Sequence, residues 1–108
     1  MDLTSKKCIP CEEGAPPLSK EQVLEYFSSV KGWQLAPDLK SISQKFTFTD
    51  FPHAMAFVNK IADLAESEGH HPDINISWNK VTLTLFTHAV GGLSENDFIV
   101  AAKISLLL

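Results

Sequence analysis

The sequence predicts an α+β domain in which a four-stranded antiparallel sheet carries three helices packed on one face, in the order α-β-β-α-β-β-α. Three observations point to it. Apolar residues recur at helical spacing in three segments, two pairs of segments between them alternate apolar and polar side chains, and the turns within those pairs are short enough for hairpins.

Residues 1–17 hold three prolines and one glycine with no periodicity, so they read as an extended arm leading into a single domain over residues 18–108. Ser19 and Gln22 have the spacing of a capping box, and Val23, Leu24, Phe27 and Val30 follow as a helical stripe that stops before Gly32. Trp33 to Ala36 forms a short strand, and after a Pro-Asp turn the run SISQKFTFT puts Ile42, Gln44, Phe46 and Phe48 on one face of a second. Thr49 or Asp50 caps the next helix, whose stripe of Phe51, Ala54, Val58, Ile61 and Ala65 runs to about Ser67. Gly69 suits the left-handed residue beyond its end, and Pro72 holds His71 extended. The strands DINISW and VTLTLFTH then meet at a tight turn over Asn79-Lys80, with Ile74, Ile76 and Trp78 facing the core. A last helix, capped by Ser94 with Asp97 closing the box, runs apolar to the terminus.

The 9 basic and 13 acidic residues give a net charge of -4, with no cluster of Lys or Arg. Direct binding to nucleic acid or to an anionic membrane therefore has little electrostatic support, and a small neutral ligand or a protein partner fits better. No apolar run approaches the ~20 residues of a membrane span, and the first ten residues lack a signal peptide's apolar centre, which implies a soluble intracellular protein. Cys8 and Cys11 form one C-x-x-C, but no second ligand pair completes a zinc site and no helix follows to activate a thiolate. The arm is expected to carry no chemistry.

The hairpin turn sets an expectation for the histidines. With Asn79 and Lys80 as the turn, Trp78 opposes Val81, Ile76 opposes Leu83 and Ile74 opposes Leu85, and the same count places His71 opposite His88. Opposed residues have Cβ atoms ~5 Å apart, so two imidazoles would share one region of the sheet. His70 adjoins them, and Glu66 stands one helical turn before it. Histidine titrates near pH ~6.5, so such a cluster can give and take protons at neutral pH. A metal is the competing reading, but adjacent histidines rarely reach one ion and no HxH or HxxxH spacing is present; no metal is expected. His53 reads as a solvated first-turn residue, Asp97 as a helix cap before anything else, and Trp78 as core before ligand stacking.

The run AESEGHHPDI, with Trp78, FTHAVGGLSENDF and the FTFTDFPHAMAFVNKIADLAE before them, resembles the pterin-4a-carbinolamine dehydratase family from about Leu18 onward. The family signature is a glutamate, three residues, His-His-Pro, an aromatic, Ser/Thr-His, Gly-Leu-Ser/Thr and an aspartate. Glu66, His70, His71, Pro72, Trp78, Thr87, His88 and Asp97 occupy those positions. Gly69 departs from a frequent asparagine, and Trp78 stands where tyrosine is also common. The resemblance implies a hydro-lyase that dehydrates 4a-hydroxytetrahydropterin to quinonoid dihydropterin in tetrahydrobiopterin recycling, without a cofactor. It implies His70 and His88 as the acid/base pair, with the assignment of acid and base open, His71 holding and polarising the pterin, and Glu66, Trp78, Thr87 and Asp97 binding or orienting. It further implies a homodimer or homotetramer in the cytoplasm, with the nucleus as a second location. Two other functions come with the family: a dimerisation cofactor or coactivator scaffold that binds a protein partner, for which the apolar last helix and a free sheet edge are suited, and a pterin-binding role in molybdenum-cofactor metabolism.

Overall fold

The computed structural model describes residues 2–108. Its elements begin where side chains can satisfy free helix N–H groups. Ser19 and Gln22 close the capping box of α1 (Lys20–Phe27), each side chain accepting the other's backbone N–H at 3.2 and 2.9 Å. Asp50, and not Thr49, caps α2 (Phe51–Glu68) by accepting the N–H of His53 at 2.9 Å. His53 is exposed, and its ring stays on that cap. Gly69 ends α2 at φ +65°. Nothing stands within 4 Å of where a Cβ would be at this position, so Gly69→Ala should cost only the backbone term of about 1 kcal/mol, with Gly69→Asn costing less. A urea denaturation series on the two variants checks that order.

Strands β1 (Gln34–Leu35), β2 (Ile42–Thr47), β3 (Asp73–Ser77) and β4 (Lys80–Leu85) form one antiparallel sheet in the order β1-β2-β4-β3. The central pair places Ile42 against Leu85, Gln44 against Leu83 and Phe46 against Val81, so one face of both strands is apolar. Ala54, Phe57 and Ile61 of α2 and Phe98, Ile99, Ala101 and Ile104 of α3 (Glu95–Ser105) cover that face, all less than 5 % exposed. Phe57 also joins Phe46 and Phe48 at ring-centroid distances of 4.8 and 5.1 Å. The apolar stripe of α3 therefore packs inside its own domain, while Leu106 and Leu108 beyond its end stay 68 and 70 % exposed. Among the described residues no helix is long and apolar enough to cross a membrane.

Three sequence expectations are corrected by the hairpin. The turn falls on Trp78-Asn79, not Asn79-Lys80, so Ser77 pairs with Lys80, Ile76 with Val81 and Ile74 with Leu83. The cause is at Asn79: its side-chain amide donates to the carbonyl of Phe48 at 2.9 Å and its own carbonyl accepts the Phe48 N–H at 2.8 Å, which ties it to the end of β2. A shift of two residues preserves which face each side chain occupies. Trp78 nevertheless leaves the core face for the turn, at φ +52° and 64 % exposed, with Lys80 Nζ 6.0 Å from its ring. Ile74 and Ile76 lie along a sheet edge that the helices do not fully cover and stay 38 and 40 % exposed. The α2 stripe begins later than its spacing implies, since Phe51 is 47 % exposed.

The cross-strand opposition of His71 and His88 is not formed. The ladder ends at the pair Asp73–Thr84, and His88 opens a 3-10 turn (His88–Val90) after β4 has ended at Leu85. Pro72 has no N–H to extend the ladder, while Thr87 pairs with Gly92, N–H to carbonyl at 2.8 and 3.4 Å, and folds the chain back on itself.

Candidate active site

The site is assembled by helix ends rather than by the ladder. His70 is the first residue after the left-handed Gly69, and its backbone N–H still donates to Ala65 in the last turn of α2 at 3.2 Å. That junction directs the ring toward the start of α3, where Nε2 lies 2.6 Å from Oδ1 of Asp97. The imidazole is 12 % exposed and the carboxylate fully buried.

Asp97 has two duties. Its Oδ2 accepts the backbone N–H of Ser94 at 2.9 Å, the reach-back of the capping box, and also the hydroxyl of Thr87 at 2.8 Å. Thr87 thus uses its hydrogen on the carboxylate, so at 2.7 Å it accepts the hydroxyl of Ser94. The helix cap and the histidine partner are one residue. A carboxylate oxygen that accepts from Nε2 leaves His70 with its lone pair on Nδ1, the nitrogen facing away from the buried acid.

The other two histidines are more open. His71 Nε2 lies 2.9 Å from Glu66 Oε1, with the two side chains 58 and 80 % exposed. Such a pair contributes little to stability; it orients the ring and frees Nδ1. His88 is exposed and its ring stands edge-on to Phe86 at 4.5 Å between centroids. Its neighbour Thr87 is the residue bonded to Asp97, so a single covalent step links the strand exit carrying His88 to the acid that holds His70. His70, Asp97 and Thr87 are thus joined by hydrogen bonds, with His71 and His88 each next in sequence to a member of that chain. Trp78 lies apart, because β3 separates it from Pro72.

Ser94 is the site residue that spacing did not reveal beyond its cap role. The Gly-Gly pair between Thr87 and Ser94 is the signal, since it lets the chain turn back and bring the two hydroxyls together. None of four hollows of about 250 to 430 Å³ is lined by a histidine, although one of them borders Ser94. Among the described residues no group of three or more His, Cys, Asp or Glu is placed to hold a metal ion.

Comparison with known proteins places the whole chain beside one family. A family profile described as Pterin 4 alpha carbinolamine dehydratase matches residues 16–107. A relative from Alkaliphilus metalliredigens, provisionally named a pterin-4-alpha-carbinolamine dehydratase, is 47 % identical over 104 residues, covering 95 % of this chain and 93 % of its own. One of the same name from Nitrosomonas eutropha is 47 % identical over 108 residues, covering 99 % and 94 %. The crystal structure of a transcriptional coactivator/pterin dehydratase from Brucella melitensis superposes with a TM-score of 0.79 at 32 % identity, over 84 % of this chain and 97 % of that one. A pterin dehydratase-like protein identified as a RuBisCO assembly factor in the alpha-carboxysome gives 0.61 at 26 % identity, over 70 % and 88 %.

Proposed function

The chain belongs to the pterin-4-alpha-carbinolamine dehydratase family, and from that premise we propose that it dehydrates 4a-hydroxytetrahydropterin to quinonoid dihydropterin by histidine acid/base catalysis, in the recycling of tetrahydrobiopterin. One observation carries the reading: the 2.6 Å contact between a nearly buried His70 and a fully buried Asp97, beside two open imidazoles.

The reaction removes one water and transfers no electrons. The C4a–O bond breaks as the leaving oxygen takes a proton, and N5–H gives one up as the ring double bond forms. His70, with Nε2 committed to Asp97, offers Nδ1 as the base for the N5 proton. His88, exposed on its 3-10 turn, delivers the proton to the leaving oxygen. His71, oriented by Glu66, binds and polarises the pterin. Thr87 and Asp97 hold His70 and the His88 segment in one frame. An assay with carbinolamine generated in the cuvette should show dehydration well above the spontaneous rate, and a rate equal to the spontaneous one rules the proposal out.

A second reading is a scaffold that binds another protein, in line with the coactivator and assembly-factor titles of the two structural neighbours. The observation in its favour is the free β3 edge with Ile74, Ile76 and Trp78 exposed. The same edge suits self-association, so light scattering should return a multiple of the 11.9 kDa chain mass. A monomeric mass refutes the homodimer or homotetramer.

A further inference from the structure

Among the described residues the arm before α1 forms no helix or strand, yet it touches each of the three segments that carry the site. Leu3 is 2 % exposed within the core. The backbone N–H of Cys8 donates to Glu68 Oε1 at 2.9 Å, two residues before His70. Ile9 is gripped on both backbone groups by the Asn96 side chain, at 3.1 and 2.6 Å, one residue before Asp97. Gly14 N–H donates to the carbonyl of Ala89 at 2.8 Å, one residue after His88. The arm is a strap across the ends of α2, the 3-10 turn and α3.

The two cysteines sit on the strap's central fastening. Cys8 Sγ lies 3.7 Å from the Asn96 carbonyl, and the Asn96 amide lies 3.5 Å from Cys11 Sγ. Both thiols are free and partly buried, and Asn96 is 5 % exposed. No bend or turn occurs between Cys8 and Cys11. A disulfide needs Cα atoms about 4.4 to 6.8 Å apart, and across three residue steps, which reach up to roughly 10 Å when extended, such closure is made by a turn. The Asn96 clasp holds the backbone of Ile9, between the two cysteines, in a run without a turn, and so opposes the bend that a Cys8–Cys11 bond requires.

We propose that Cys8 and Cys11 are a redox latch: oxidation to an intramolecular disulfide bends the arm off Asn96, releases the strap and slows the site it braces. The last clause rests on the dehydratase reading, whereas the release of the strap does not. The oxidant is a low-molecular-weight disulfide. Cys11 borders a cleft of about 250 Å³ also lined by Ile9, Pro10, Val90 and Asn96, which gives its sulfur access from solvent. The Cys11 thiolate attacks one sulfur of the small disulfide and expels a thiolate. Cys8 then loses its proton and attacks Cys11 sulfur, expelling the second thiolate and closing the Cys8–Cys11 bond. Two protein thiols are oxidised by two electrons and one disulfide is reduced to two thiols. Burial, and then the neighbouring Glu68, push the Cys8 thiol up to about 12, so the second step waits for the strap to loosen. Linkage makes the effect reciprocal: the docked strap favours the dithiol by the amount that the disulfide favours release.

The test compares the full chain in glutathione buffers of rising disulfide content with a Cys11→Ser variant, which cannot close the ring. Mass spectrometry should show loss of two hydrogens without added glutathione in the parent chain alone. Amide exchange at Ile9 and Gly14 should speed by ~10-fold or more in the oxidised parent and stay slow in Cys11→Ser under the same buffer. Turnover of the parent should fall by ~10-fold and recover on reduction with dithiothreitol. Unchanged exchange in the oxidised parent overturns the latch, as does an equal response in Cys11→Ser. Faster exchange with unchanged turnover overturns the coupling to the site. A reduced chain with no dehydratase activity overturns the proposed function instead, and the exchange data still decide the latch.

Discussion

Replacing His70 by alanine should lower kcat by ~100-fold or more, with a smaller change in KM. The asymmetry follows from where the ring sits. His70 is the imidazole whose Nε2 is held by a buried acid, and so the one whose Nδ1 is fixed in direction as a base. Removing it takes away a proton acceptor that acts in the transition state, more than a surface that binds substrate. It also strands the Asp97 carboxylate, whose Oδ1 loses its only named partner while Oδ2 keeps Thr87 and Ser94. The variant is expected to be less stable, by about 1 to 3 kcal/mol for the buried group left unsatisfied. His70→Gln separates the two effects. Its amide can donate toward Asp97 but has no basic nitrogen, so stability should recover while turnover does not. His71→Ala, by contrast, removes an exposed ring paired to an exposed glutamate and should act mainly on KM. Near-normal turnover in a folded His70→Ala protein would end the assignment of His70 as base.

The parts of this fold legible from sequence are those set by local chemistry. Ser19 with Gln22, Asp50 before Pro52, Gly69 after α2 and Ser94 with Asp97 each mark a helix end that the structure keeps, because capping is decided within a few residues. The alternation in β2 and β4 is equally local. The hairpin register was missed because a long-range bond decides it: Asn79 is claimed by Phe48, just past the end of β2 and 31 positions away. Counting from the turn gave the right face for Ile74 and Ile76, since the error was an even number of residues, but it sent Trp78 into the core and set His71 against His88. The end of α2 and the strand exit still meet for a different reason, namely that Asp97 joins them through His70 and Thr87. Nothing in the spacing of the arm's cysteines shows that it lies on Glu68, Ala89 and Asn96, which are 60 to 87 residues away or reached only through backbone contacts.

Asp97→Asn should either lower kcat by ~100-fold or destabilise the domain by about 1 to 3 kcal/mol, according to which way the new amide turns. The substitution keeps the shape of the side chain but not its acceptor count. The carboxylate receives Nε2 of His70 on one oxygen, and the Ser94 N–H and Thr87 hydroxyl on the other. Asparagine has one accepting oxygen, so its amide must face a donor on one side. If the oxygen stays with Ser94 and Thr87, the amide meets His70 and forces its ring to the tautomer with the lone pair on Nε2, which puts hydrogen on the nitrogen that should act as base. If the amide turns the other way, the cap of α3 is broken and the Thr87 hydroxyl must find a new acceptor. The first arrangement predicts a stable and nearly inactive protein, the second a destabilised protein with part of its activity. Denaturation midpoint and kcat measured together distinguish them, and Ser94→Ala, which removes the hydroxyl donated to Thr87 but leaves the backbone N–H on Asp97, should lose far less of either. A folded Asp97→Asn variant with unchanged kcat and midpoint would show that the buried acid neither orients His70 nor caps α3.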